Sequence, residues 1–385
     1  MVQDTGMSVS PQLYPAAVTQ DSLTEIKNVF SGLHLPRVDF ELASLSELPR
    51  AQVLRSRKPS TRTIREKLAN ALEGPWAPAT VDLPAANPYE GLRREFKAFR
   101  ESASSTSSLS QRLQVEREIE NSKDVRTISA WSSVYNYHVP IRNLPPQLHG
   151  LTILHLSDIH FLSSHDRPCR EMGNLAKYLE TSGKRVDIIL LSGDVITKSP
   201  EDLCPVALRN LARLSALCPQ AFMVHGNHDY HGHRPALISR QLEKVGFHDI
   251  NNHHIRLTIS NAPLNIYGVD DAYYGRPTAP MNVSPQETNI VLTHNLDAIR
   301  GDFPKDVDLI LSGHTHWGEF RFFDGSRLMN LWGYCDNINR HTKGWATMTD
   351  RSLSFVHPGL ARYYVPYRGL RHPPGAVIHT LGHRP

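Results

Sequence analysis

The stretch "LTILHLSDIHF" (Leu151–Phe161) runs from a short apolar segment straight into an aspartate and a histidine two positions apart, Asp158 and His160. Its length and its content of leucine and β-branched residues predict a strand buried on both faces. The pattern recurs along the chain. "VDIILLSGD" ends in Asp194, "QAFMVHGNHD" in Asn227, His228 and Asp229, "NIVLTH" in His294, and "VDLILSGHTH" in His314 and His316, while "LNIYGV" is a sixth run of strand type. Between these runs "REMGNLAKYLETSG", "EDLCPVALRNLARLSAL" and "RPALISRQLEKVG" carry helical spacing, with Gly183 and Gly246 where helices would stop. Alternating strands and helices predict an α/β domain with a largely buried sheet. In open sheets of that kind ligands bind at the carboxyl ends of the strands, where every one of these polar motifs falls. Further on, "GEFRFFDGSRLMNL", "GWATMTD" and "LSFVHP" read as antiparallel, which predicts a second or strongly mixed sheet.

Composition sets the outer bounds. The chain has 385 residues, 40% hydrophobic and 21% charged, enough for two or three domains with sizeable cores. A formal charge of +4 does not by itself argue for nucleic acid. The four cysteines show no CxxC spacing and read as buried thiols of a reducing compartment. The amino terminus has no basic segment leading into an apolar one, and no window approaches the roughly 20 apolar residues of a membrane span. A cytoplasmic protein is expected, with peripheral membrane contact left open.

The character of the sequence changes near residue 130. Residues 1–130 hold Pro-rich and Ser-rich connectors between short helical patterns such as "DSLTEIKNVFSGL", "YEGLRREFKAFRES" and "SLSQRLQVEREIENS", the last two read as exposed helices. This part is expected to be an accessory segment, helical in pieces and partly disordered, and residues 131–385 the α/β domain that carries the polar motifs. A basic stretch from Arg50 to Lys67 reads as a solvated surface, or as a contact for anionic lipid or nucleic acid.

Taken singly, each polar motif is weak, because D-x-H or a lone histidine after a strand is common. The whole series, each member at a strand end, points to metal chemistry. Aspartate, histidine and an asparagine amide oxygen without cysteine suit Mn, Fe or Zn rather than a thiolate site. Two divalent ions would bring about +4 and Asp158 with Asp194 would remove two, leaving a site that favours a phosphate ester. Two such ions roughly 3.5–4 Å apart lower the pKa of a bridging water, aim it for in-line attack and clamp the phosphoryl oxygens. Asp194, set between the other motifs, is the natural bridging carboxylate.

D-x-H, G-D, G-N-H-D, a lone histidine and G-H-x-H, in this order, resemble the calcineurin-like metallophosphoesterase superfamily. The resemblance covers residues 131–385 and implies a four-layer αββα sandwich: two mixed β-sheets flanked by helices, with the metals at one edge. It implies one metal held by Asp158, His160, Asp194 and His316, and a second held by Asp194, Asn227, His294 and His314. It makes His228 the catalytic histidine that is not a ligand, with Asp229 beside it to orient it. "YHVPIRNLPPQLHGLTILHLSDIHF", "YGVDD", "THNLDAI" and "RGLRHPPGAVIHTL" are similar to the bacterial YkuE-type branch, which includes phosphodiesterases and enzymes cleaving UDP-2,3-diacylglucosamine. The chain departs from that branch at Trp317-Gly318-Glu319, where Gly-Gly-Gln is usual.

The expectation is a metal-dependent phosphoesterase acting on a monoester, diester or pyrophosphate, carried by a small molecule or a lipid. A nuclease is the alternative enzyme, and a silent scaffold the alternative from another class; the latter would show ligand loss, which this chain does not. His231 and His233 are read as loop residues or contacts to substrate phosphate, His165 and Asp166 as residues near the pocket. Asp270 and Asp271 are read as supports behind the ligands. Tyr273, Tyr274 and Trp317 are read as a pocket wall or as ordinary packing.

Overall fold

The structure is a computed structural model that describes residues 40–44 (backbone), 109–162, 167–218, 220–278, 280, 283–299, 305–317, 343–349, 351–360 and 373–384. The strands in chain order are β1 (Phe40–Ser44), β2 (Asp124–Thr127), β3 (Ser133–Arg142), β4 (Thr152–Leu156), β5 (Ile188–Leu191), β6 (Ala221–Met223) and β7 (His248–Asp249). They continue as β8 (His253–Ile259), β9 (Ala262–Val269), β10 (Thr288–Thr293), β11 (Leu309–Ser312), β12 (Gly344–Thr347), β13 (Leu353–Val356) and β14 (Gly375–Arg384). The α-helices are α1 (Leu109–Asn121), α2 (Arg167–Ser182), α3 (Pro205–Ala216) and α4 (Pro235–Glu243).

Period-two burial explains the layering. Ile153 of β4, Ile188 and Leu190 of β5 and Phe222 of β6 join one apolar cluster, which they share with strands of the other sheet. Their neighbours Leu154, Leu156, Ile189, Leu191 and Met223 join a second cluster with Met172, Leu175 and Leu179 of α2, Leu208 and Leu211 of α3 and Ile238 of α4. A strand's side chains alternate between its two faces, so each residue is committed to one cluster or the other. Both faces of these strands are therefore apolar, as the continuous runs predict.

Two seven-stranded sheets result, ordered β1-β8-β9-β10-β11-β13-β12 and β2-β3-β14-β4-β5-β6-β7. Both are mixed. β4, β5, β6 and β7 run parallel, as do β9, β10, β11 and β13, whereas β14 is antiparallel to β4 and β12 to β13. All six apolar runs singled out in the sequence form strands, and "GWATMTD" with "LSFVHP" supplies the antiparallel pair β12–β13. Gly183 and Gly246 follow α2 and α4 with φ of 66° and 90°, a backbone that glycine adopts without Cβ strain. Helices α2–α4 cover the outer face of the second sheet.

The sheets draw on residues ahead of 131. β2 pairs antiparallel with β3, and α1 packs on β12 and β3 instead of standing exposed as its charged sequence suggested. Val115 and Ile119 of α1 enter the cluster between the sheets, and the Glu116 carboxylate accepts the Thr347 N–H at 2.7 Å. β1, within the segment expected to be helical in pieces, pairs antiparallel with β8. The expected helices around residues 21–33 and 89–102, the basic stretch 50–67 and the run 318–331 lie outside the described residues. Among the described residues no helix is long and apolar enough to cross a membrane.

Because Ile119 is 1% exposed, Ile119→Ala is expected to destabilise the fold by about 2–5 kcal/mol. A urea titration should show a lower midpoint with an unchanged slope; an unchanged midpoint would mean that α1 does not belong to the folded core.

Candidate metal centre

β4, β5 and β6 of one sheet and β10 and β11 of the other end at a common edge, and the polar motifs follow these ends. The chain does not continue as extended strand there. Asp158, His160, Asp194, His314 and His316 have φ between 48° and 70°, the left-handed region that costs a non-glycine residue roughly 1–2 kcal/mol. Neighbouring hydrogen bonds hold them in it. Asp158 and His160 donate their N–H groups to Gly193 O and Asp194 O at 2.9 and 3.0 Å, and Gly313 donates to His294 O at 2.9 Å.

The seven expected ligands gather into two adjoining groups. Asp158, His160 and His316 bring ligand atoms within 4.8 Å of one another, and so do Asp194, His294 and His314. In the first group His316 Nε2 lies 3.1 Å from Asp158 Oδ1 and 3.2 Å from His160 Nε2. In the second, Asn227 Oδ1 lies 2.9 Å from His314 Nδ1 and 3.1 Å from His294 Nε2. Asp194 Oδ2 stands between the groups, 3.6 Å from His160 Nε2 and 3.3 Å from His294 Nε2. Its other oxygen, Oδ1, accepts the His228 N–H at 2.8 Å. One carboxylate oxygen alone therefore faces both groups, a sharper geometry than a carboxylate using one oxygen for each.

Two glycines make this approach possible. A Cβ on Gly226 would sit 2.3 Å from Asp194 Oδ1, and one on Gly313 would sit 2.4 Å from Asp158 Oδ2. The G of G-N-H-D and the G of G-H-x-H thus leave room for the carboxylates. Asp158 in turn pins the last motif, its two oxygens each 3.1 Å from the His314 N–H.

The charge balance of the site calls for a cation. His294 Nδ1 donates to the Ser192 carbonyl at 2.7 Å, so in the neutral ring Nε2 carries a lone pair, turned toward the lone pairs of Asn227 Oδ1. Two acceptors this close repel unless a proton or metal ion intervenes. Burial opposes charge on His294, but the Asp194 and Asp158 carboxylates outweigh it and raise the ring to about 10. Asp194 and Asp158, although burial disfavours their ionised forms, are held well below the usual carboxylate range, chiefly by His294 for Asp194 and by His316 for Asp158. Burial drives His160 down to about 3, against the pull of Asp194. These residues fit a divalent ion in chemistry as well as in position: ionised carboxylates, an amide oxygen, and imidazoles that can ligate once His294 gives up its proton. Burial differs between the groups. Asp158, His160 and His316 are buried, whereas His314 and Asn227 are only half-buried and open the second group toward solvent.

His228 lies beside the centre, its ring 4.7 Å from that of His160. Its Nδ1 donates to the Thr197 carbonyl at 2.9 Å. Asp229 does not orient this ring as expected. Its carboxylate is fully buried and accepts three backbone N–H groups, from Val195, Ile196 and Gly226, at 2.8–3.2 Å. It ties the G-D loop to the G-N-H-D loop and is a structural clamp. The orienting group, Thr197 O, left no mark in the sequence because it is main chain, as is Ser192 O behind His294.

The remaining residues divide between support and packing. Asp270 accepts from Tyr230 Oη at 2.6 Å and from the Arg276 N–H at 2.9 Å, and Asp271 accepts the N–H groups of Tyr273 and Tyr274 at 2.8 and 2.6 Å. Burial raises Asp271 to about 6, against the pull of His294. Tyr273 stands 5.4 Å from the His314 ring and Tyr274 6.0 Å from the His231 ring, both at the open side. Trp317 belongs to the core: it is buried against Tyr135 and Phe355, and its Nε1 donates to Val356 O. His225 is buried on Ser239 Oγ at 3.0 Å, away from the ligands' contacts. His233 is exposed. His165, Asp166, Gly318 and Glu319 lie outside the described residues.

The profile of the calcineurin-like phosphoesterase family matches residues 151–318, which include every residue of both groups. Residues 151–318 are thus similar to a calcineurin-like phosphoesterase domain. Relatives of the chain include the uncharacterized metallophosphoesterase YkoQ of Bacillus subtilis, 32% identical over 183 residues, 46% of this chain and 65% of that protein. The uncharacterized metallophosphoesterase YkuE of the same bacterium is 25% identical over 240 residues, 60% of this chain and 79% of that protein. Phosphodiesterase YaeI of Escherichia coli is 28% identical over 176 residues, 44% of this chain and 62% of that protein. The chain spans slightly less than two thirds of YkoQ and 54% and 39% of two animal relatives.

In the phosphoesterase domain stripped of metal, the raised His294 gives a pH signature. A group whose folded pKa, about 10, exceeds its unfolded value of 6.5 stabilises fully below 6.5 and loses that contribution as pH climbs through 10. Chelator-treated protein should therefore show a melting temperature that falls from pH 6.5 to 10, and His294→Gln should flatten the fall. Metal affinity should rise over the same range as the proton leaves. A flat wild-type profile would contradict a protonated His294 in the metal-free site.

Proposed function

We propose that the protein is a dinuclear metal-dependent phosphoesterase, its two ions held by Asp158, His160, Asp194 and His316 and by Asp194, Asn227, His294 and His314. The observation that carries this reading is the position of Asp194 Oδ2, within 3.6 Å of a histidine nitrogen in each group. Bound there, Mn, Fe or Zn ions would supply Lewis acidity for a phosphoryl group and for the attacking water. The residues do the rest. Asp194 holds the two groups at one spacing, while Ser192 O and Thr197 O keep the Nδ1 protons of His294 and His228 off the reacting face. His228, anchored through Nδ1, presents Nε2 to protonate the departing oxygen, a role worth about 10²–10⁴-fold. The substrate, a phosphate ester of a small molecule or of a lipid, enters over the half-buried His314 and Asn227. The similarity to the phosphodiesterase YaeI makes a diester the first class to assay.

The test is hydrolysis of a p-nitrophenyl phosphodiester and monoester by the full chain with Mn²⁺, with metal content measured alongside. Asp194→Asn should lose bound metal and nearly all activity. His228→Ala should keep the metal and lose activity by about 10²-fold or more on an alkyl leaving group, less on nitrophenolate, which departs without a proton. Full activity in Asp194→Asn would overturn the bridging assignment.

A further inference from the structure

His231 stands beside His228 and shares its anchor. His228 through Tyr230 form a 3-10 turn, and the chain leaves it at His231 (φ −64°, ψ 141°) and Gly232 (φ 76°). Residues three apart eclipse one another in such a turn, so the H-x-x-H spacing of "HDYH" brings the two rings to a centroid distance of 4.4 Å. The Thr197 carbonyl receives both: His228 Nδ1 at 2.9 Å and His231 Nδ1 at 3.0 Å. A carbonyl oxygen only accepts, so each ring carries its proton on Nδ1, and Nε2 is directed away from Thr197. His231 is half-buried, with the ring of Tyr274, 43% exposed, set edge-on at 6.0 Å on its open side. Burial lowers its tendency to protonate, which leaves Nε2 a hydrogen-bond acceptor.

We infer that His231 is a substrate-contacting residue, its Nε2 accepting a hydrogen bond from a hydroxyl on the organic part of the phosphoester beside the group that His228 serves. The inference rests on the phosphoesterase reading and narrows it to a class: esters of hydroxyl-bearing alcohols, such as glycerol, a sugar or a nucleoside. An acceptor cannot pair with an ionised phosphoryl oxygen, itself only an acceptor, so the neutral ring selects a donor. Tyr274 would form the adjoining wall. A ring that merely anchored its loop would need only Nδ1.

The experiment compares two p-nitrophenyl phosphodiesters, one with an ethyl and one with a 2,3-dihydroxypropyl second ester, on the Mn²⁺-loaded full chain. The wild type should favour the dihydroxypropyl ester by about 5- to 10-fold in kcat/KM, the worth of one hydrogen bond. His231→Asn keeps a donor for Thr197 O but has nothing at the Nε2 position. With its own rate on the ethyl ester as the reference, it should lose the preference for the dihydroxypropyl ester, mostly through KM. Equal wild-type rates on the two esters, or a preference that survives in His231→Asn, would overturn the inference while leaving the phosphoesterase reading in place. A wild type that cleaves neither ester in a metal-dependent way would overturn both. If His231→Asn is defective on both esters, His231→Gln, which also offers an oxygen acceptor, must restore the preference; failure to do so counts against the contact.

Discussion

The site is organised around the buried Asp194 carboxylate and the need to balance its charge. An ionised carboxylate out of water costs several kcal/mol unless cations and donors surround it. One Asp194 oxygen takes the His228 N–H and the other faces His160 and His294. This requires a left-handed backbone at Asp194 and no side chain at Gly226, whose Cβ would collide with it. Parallel β4, β5 and β6 bring Asp158, Asp194 and Asn227 to one edge, while β10 and β11 bring His294 and His314 to the same edge from the other sheet. A centre assembled across two sheets depends on their packing, and the apolar cluster between them, completed by Val115 and Ile119 of α1, sets that distance.

Main-chain groups tune the histidines. Ser192 O and Thr197 O fix the tautomers of His294, His228 and His231, and the Asp229 clamp holds together the loops that carry these rings. Such oriented partners are what usually keep metal ligands and catalytic bases in register. The arrangement is graded in depth: a buried group at Asp158, His160 and His316, then a half-open one at Asn227 and His314, then His228 and His231 with Tyr274 at the rim. Charge is concentrated where water is excluded, and the half-buried rings lie toward solvent.

Much of this was legible in the sequence because it was local. Apolar runs of strand length, helical spacing closed by Gly183 and Gly246, and an Asp, Asn or His after each strand depend on a few consecutive residues, and the fold contains all of them. What misled was context. The charged "SLSQRLQVEREIENS" reads as an exposed helix, yet its Val115 and Ile119 sit in the core, because the sandwich leaves an open end at β12 that only a long-range contact can fill. Trp317 follows a ligand motif and invites a pocket role, but its left-handed backbone turns it into the core.

Which residues supply donors, in what order and at which strand ends, can be read along the chain, since side-chain chemistry and hydrophobic period are written residue by residue. That one oxygen of Asp194 serves both groups, that Asp229 clamps loops rather than His228, and that His231 shares its anchor with His228 emerges with the packed fold. These outcomes hang on distances between segments far apart in the chain and on main-chain carbonyls. A carbonyl is the same in every residue, so no sequence can announce which one will orient a ring.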